Sequence, residues 1–189
     1  MTLQFKFIKL VIISITFPTL FASKSFAHAR FDQSQGTVPM DNSSGIKDGG
    51  APCGNLQNAV IKPLQAGSNY TLHWEETVDH NGWYELYFSE TGPCNVNNRN
   101  FDSNLKTDCW RPVTKVMDTQ NNGISGTNYH KYSFQYKLPN VNCENCVFQL
   151  RQVMGGNVNN LYYSCHKVKL SGATSGGTGL GEAQCKPGR

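Results

Sequence analysis

Past its first two dozen residues this chain has no long apolar run, so nothing in the remainder could span a bilayer as a helix. It has no amphipathic segment of useful helical length, which argues against a bundle or an α/β layer fold. It has no internal repeat, which sets aside solenoids and propellers. Positive charge is scarce outside the amino-terminal segment. Lys6, Lys9 and Lys24 carry three of the +4 formal charges, leaving 4 − 3 = +1 for the rest. A nucleic-acid binder would show a basic face, and none is present. There is one C-x-x-C, Cys143-Glu-Asn-Cys146, and no second pair to complete a zinc site. The βαβ pattern expected around a thioredoxin-like motif is missing too. A Met- or Cys-rich tail of the kind that relays copper is also absent.

What is present begins with targeting. Residues 1–27 read as a secretory signal: Lys6 and Lys9 first, a mostly apolar stretch over residues 10–21, then Ser25-Phe26-Ala27 with small residues at −3 and −1 of a cleavage site. Removing them leaves 189 − 27 = 162 residues, the size of one domain with a sizeable core. The expected organisation is a signal over 1–27, one domain over 28–170, and a Gly/Ser-rich tail over 171–189 with the composition of a disordered segment. The expected location is extracellular, or periplasmic in a bacterium.

All seven cysteines (53, 94, 109, 143, 146, 165 and 185) follow the signal, and an exported chain with this many is expected to form disulfides. Seven is odd, and Cys185 in the tail is the candidate to be left over. Asn42-Ser-Ser44 and Asn69-Tyr-Thr71 are sequons that matter only in a eukaryotic secretory pathway.

The domain reads as strands. Candidates are residues 58–64, then Tyr70, Leu72 and Trp74 alternating with Thr71 and His73, then 83–88, 132–138, 147–154 and 161–170. Residues 32–56 and 91–128 are rich in Gly, Asn, Asp and Ser and read as long loops. The predicted fold is all-β, an antiparallel β-sandwich of fibronectin III or immunoglobulin type with long loops.

Cleavage after Ala27 would make His28 the first residue, with two nitrogen donors: its α-amine and a ring nitrogen. Such donors suit copper. His80, in the turn between two strands, is the second candidate, and together they would give a T-shaped three-nitrogen site with open positions. His73 reads as a packing or hydrogen-bonding residue and His130, between Tyr129 and Tyr132, as a surface or loop residue. His166 follows Cys165, and strand alternation does not place it near a metal. Trp74 and Trp83 read as core, and Trp110 as the better candidate for an exposed stacking residue.

His28 behind a cleavage site, Leu64-Gln-Ala-Gly67 leading to Trp74, His80-Asn-Gly-Trp-Tyr84, Cys143-Glu-Asn-Cys-Val-Phe-Gln-Leu150, Gly155-Gly-Asn157 and Leu161-Tyr-Tyr-Ser-Cys165 occur in one order over nearly the whole domain. In these the chain resembles the lytic polysaccharide monooxygenases, in the chitin-binding type 4 group and its relatives. The resemblance implies an immunoglobulin-like sandwich and one copper ion in a histidine brace of His28 and His80. Tyr162 would take the axial position, or Tyr163 if the register slips by one. Gln152 shares a strand face with Phe148, Leu150 and Met154, and would be the polar group beside an oxygen species. Arg151 points the other way. Cys165 would pair with Cys53, and Cys94 with Cys109.

The activity so implied is oxidation of a β-linked polysaccharide (chitin, cellulose or a related glycan) at C1 or C4. It would use an external electron donor and O2 or H2O2, and the protein would be a monomer without nucleic-acid partners. Ala29 stands where the bacterial chitin- and cellulose-active members usually have Gly, and Lys167 where many have Asp. The competing expectations are a non-catalytic copper-binding or copper-transfer protein with the same brace, and a carbohydrate binder with an incidental metal.

Overall fold

In the computed structural model the described residues are 29–37, 46–47, 53, 59–93, 109–158 and 161–174. They form nine strands: β1 (Ala29–Phe31), β2 (Ile46–Lys47), β3 (Lys62–Gln65), β4 (Asn69–Glu76), β5 (Gly82–Ser89), β6 (Arg111–Met117), β7 (His130–Lys137), β8 (Cys143–Met154) and β9 (Leu161–Ser171). A single 3-10 turn, Gln33–Gln35, is the one helical element among them. No helix of the described residues is long and apolar enough to cross a membrane.

Two sheets result. One is three-stranded in the order β1-β4-β7; the other has six strands, in the order β2-β9-β8-β5-β6 with β3 also on β9. Pairing is antiparallel except between β3 and β9, which run parallel. The inner faces supply the core: Phe31, Leu72 and Trp74 from the smaller sheet meet Tyr84, Leu86, Phe88, Phe148, Leu150, Val168 and Leu170 from the larger. Period-two alternation of apolar residues drives this, because it gives each strand one face to bury. The predicted all-β sandwich is what the chain forms.

Several expected boundaries shift: β8 begins at Cys143 rather than 147, β7 at His130 rather than 132, and the loop expected over 32–56 carries β2. The strand expected at 58–64 is Lys62–Gln65, set by parallel pairing of Lys62 through Gln65 with Val168 through Ser171. Residues 91–128 are not all loop: β6 lies within them, pairing along β5 from Trp83–Met117 to Phe88–Arg111. Its sequence, Arg-Pro-Val-Thr-Lys-Val-Met, is polar because it is an edge strand with one face to solvent.

The outer face of the larger sheet is also buried in places. Arg151 lies 4.1 Å above the Tyr87 ring and 5.8 Å from that of Tyr163, and bonds Gln149 Oε1 at 2.7 Å. Trp110 packs there with Tyr87, Val147 and the Cys53–Cys165 disulfide, and is only 1% exposed. It is therefore not an exposed stacking residue but part of a buried cluster with the disulfide. Cys143 and Cys146 pair with each other across a bulge at the start of β8. Cys109 is disulfide-bonded as well. Cys94, Cys185 and the tail beyond residue 174 lie outside the described residues.

Candidate functional site

One end of the sandwich gathers the start of β1, the end of β4, the starts of β5, β7 and β9, and the end of β8. Pairing aligns Ala29, Glu76 and His130 in one row across the smaller sheet. All three are buried. In the larger sheet Gln152 is paired with Tyr162 on one side and Tyr84 on the other. Residues directly paired across antiparallel strands share a face. The register therefore puts Tyr162, not Tyr163, on the inner face with Gln152, while Tyr163 joins Arg151 on the outer one.

Glu76 is the node. Alternation of Leu72 and Trp74 into the core continues to Glu76, which is 0% exposed. Its Oε1 accepts the Gln152 amide at 2.7 Å and the His80 backbone N–H at 3.1 Å. Its Oε2 is 3.0 Å from His130 Nδ1. A carboxylate taken from water needs such partners. Burial pushes the Glu76 carboxyl up to about 7, and the neighbouring Asp118 charge adds to this. His130, the His80 N–H and the Tyr84 hydroxyl pull the other way. Burial also pushes the phenols of Tyr84 and Tyr132 well above their usual range, with Glu76 and Asp118 contributing.

The loop carrying His80 is held at both ends. Glu76 fixes the His80 backbone from below. Asp79 Oδ2 accepts the Gly123 N–H at 2.7 Å, tying the loop to the segment before β7. Gly82 then drops straight onto β8: a Cβ there would lie 1.9 Å from the Val153 carbonyl oxygen. His80 is half-buried, and Val78, two residues earlier, is exposed. Tyr162 is 8% exposed, packs on Met154, and has its phenol pushed up by burial.

The structure thus brings His80, Gln152 and Tyr162 to one end, beside Ala29. His28 lies outside the described residues. The reading of His130 as a surface residue is corrected: it is 5% exposed and bonded to Glu76. Glu76, Asp79 and His130 hold ligand-capable atoms within 4.8 Å of one another. The signal for Glu76 and His130 was in the alternation. Tyr70, Leu72 and Trp74 extended forward reach Glu76, and Tyr132, Phe134 and Tyr136 extended backward reach His130. His166 sits in the core instead, with Nε2 3.0 Å from the Tyr70 hydroxyl and its ring 5.9 Å from that of Phe31. His73 is half-buried, and its backbone N–H donates to Thr37 Oγ1.

Residues 19–168 match the family described as lytic polysaccharide mono-oxygenase, cellulose-degrading. No curated relative matches the chain. Among solved structures it is similar to an AA10 lytic polysaccharide monooxygenase from Streptomyces lividans, with 17% identity, 60% of each chain covered and a TM-score of 0.39. An AA15 lytic polysaccharide monooxygenase from Thermobia domestica in the Cu(I) state has 19% identity, with 60% of this chain and 64% of that one covered and a TM-score of 0.43. A chitin binding domain from Burkholderia pseudomallei has 9% identity, with coverage of 60% and 58% and a TM-score of 0.40. The chain therefore spans about 60% of the length of the first of these structures.

Proposed function

We propose that this chain, which belongs to the lytic polysaccharide mono-oxygenase family, is an exported copper-dependent monooxygenase acting on a β-linked polysaccharide. The observation that carries this reading, beside the family match, is the convergence of His80, Gln152 and Tyr162 at the end of the sandwich where β1 begins.

The residues fit a copper ion. Buried polar atoms at this end, Gln152 Oε1 and His130 Nε2 among them, have no hydrogen-bond partner among the described residues. Buried polar atoms are normally satisfied, so such orphans mark a place where something else binds. The proposed donors are the α-amine and ring of His28 and the ring of His80, a nitrogen set that copper favours. Copper held there supplies the one-electron chemistry that lets O2 or H2O2, with an external reductant, attack a glycan C–H bond.

The rest is the work of the protein. Glu76 fixes the backbone at His80, so the imidazole leaves a rigid loop. Gln152, held through its Nε2, keeps its Oε1 directed away from Glu76 and able to accept a hydrogen bond from a ligand at the site. Tyr162 closes the buried side with an aromatic wall and keeps water out there. The exposed Val78 and Met117 lie at this same end of the fold and give it apolar surface for a sugar ring face.

The test is copper titration of the protein beginning at His28, followed by electron paramagnetic resonance and calorimetry, against a form with one extra residue before His28. Tight one-to-one binding with a tetragonal nitrogen-rich signal, lost in the extended form, is expected. Oxidised oligosaccharides from chitin or cellulose with reductant should follow. Equal binding by both forms removes the amine from the site and the reading with it. Tight binding with no product from any polymer selects the copper-transfer alternative.

A further inference from the structure

We infer that His130 is a positioning residue of this site, acting through Glu76; the inference rests on the copper reading above, which names His130 only for its unpartnered ring nitrogen and gives it no role. Glu76 Oε1 serves two partners that belong to the site: the His80 backbone N–H and the Gln152 amide. Its Oε2 serves one that does not, His130 Nδ1. A carboxylate is planar and rigid, so fixing Oε2 fixes the direction of Oε1. His130 therefore decides where the His80 loop and Gln152 are held.

The three partners come from three elements. His130 begins β7, Gln152 is near the end of β8 in the opposite sheet, and His80 lies in the loop after β4. The contact thus locks the two sheets and the loop at one atom group. Groups around the pair are Asp79 and Asp118, both acidic, and the phenols of Tyr84 and Tyr132. No lysine or arginine contact to Glu76 occurs among the described residues. With Glu76 ionised, the imidazole Nδ1–H is the donor that faces Oε2, since a carboxylate only accepts.

The same hydrogen bond fixes the ring. With Nδ1 toward Glu76, Nε2 lies on the far side, buried and unpartnered among the described residues. Among the described residues no other side-chain hydrogen bond holds His130 in that orientation, and a histidine kept for packing would not need the carboxylate. Partners that orient groups around a metal commonly change its affinity 10–100-fold when removed.

The experiment compares four proteins beginning at His28: wild type, His80→Ala, His130→Leu and His130→Asn. The leucine keeps bulk and removes the donor; the asparagine amide places an N–H near the Nδ1 position. Each is loaded with Cu(II) alone and measured by electron paramagnetic resonance and calorimetry, with circular dichroism as the check on folding. His130→Leu is expected to lose roughly tenfold in copper affinity and to show a shifted or heterogeneous Cu(II) spectrum. His130→Asn is expected to restore the wild-type spectrum. If the leucine protein does not fold, His130→Met, unbranched and without an N–H donor, takes its place with the same expectation. A wild-type spectrum and affinity in a variant without the donor overturns the inference while leaving the copper reading intact, provided His80→Ala has lost the signal. Copper binding by His80→Ala that equals wild type overturns both.

Discussion

Gln152 Nε2 donates to Glu76 Oε1 across 2.7 Å, joining β8 of the six-stranded sheet to β4 of the three-stranded one. The bond lies in the interior, and its acceptor also holds His80. Cutting Glu76 back to alanine leaves the Gln152 amide, the His80 N–H and the His130 ring without their acceptor. Each buried unsatisfied group costs about 1–3 kcal/mol. Glu76→Ala should therefore destabilise the fold by about 3–5 kcal/mol, read by urea denaturation. A loss below about 1 kcal/mol would mean that water replaces the carboxylate freely.

Tyr162 packs on Met154 and shares the inner face with Gln152. Tyr162→Phe keeps the ring and should leave the Cu(II) spectrum close to wild type. Tyr162→Ala removes the wall, lets water in, and should change the spectrum while costing about 3–5 kcal/mol of stability. Two variants with the same spectrum would remove Tyr162 from the surroundings of the metal.

Gly82 begins β5 against the Val153 carbonyl oxygen. Any side chain there forces the strand off β8. Gly82→Ala should destabilise by more than about 2 kcal/mol and weaken copper binding through the His80 loop two residues away. Thermal melting and copper calorimetry on the same preparation test both parts.

Asp32 and Lys131 form an ion pair at 2.8 Å on the smaller sheet, and Lys131 also pairs with Glu75. Burial works to raise the Asp32 carboxyl, but the hydrogen bonds from Lys131 and Ser34 outweigh it and hold it below its ordinary value. A depressed carboxyl stabilises the fold at pH above its unfolded value, about 3.9, and loses that contribution as pH falls through the folded value. Asp32→Asn should thus be less stable than wild type at pH 6. The gap should close as pH drops from about 5 toward 3. A gap that stays constant across that range would show that the charge is not what Asp32 contributes.

The Cys53–Cys165 disulfide closes a sequence separation of 112 residues. Long loops confine the unfolded chain most, and losing such a bond typically costs about 2–5 kcal/mol. Cys53→Ala with Cys165→Ala should show that loss in oxidised protein by guanidinium denaturation. A much smaller loss would mean that the packing of Trp110 and Val147 holds this face unaided.

The sequence by itself determined the sandwich and most of its strands, because alternation reports directly which face of a strand meets the core. The same signal placed Gln152 with Phe148 and Leu150, and set Arg151 on the other face. It fell short at β6, an edge strand whose partner covers one side only, so its sequence reads as loop. It also misread Trp110, whose burial depends on a disulfide closing from far along the chain.

Tertiary structure alone placed Tyr162 on the face of Gln152 and Tyr163 on that of Arg151, because register is a property of two strands. It also assembled Glu76 with His80, His130 and Gln152. Those residues come from both sheets and a connecting loop, and the carboxylate and imidazole are buried only because each supplies the other's hydrogen bond. No local pattern carries that condition: it appears when the sheets close and water leaves.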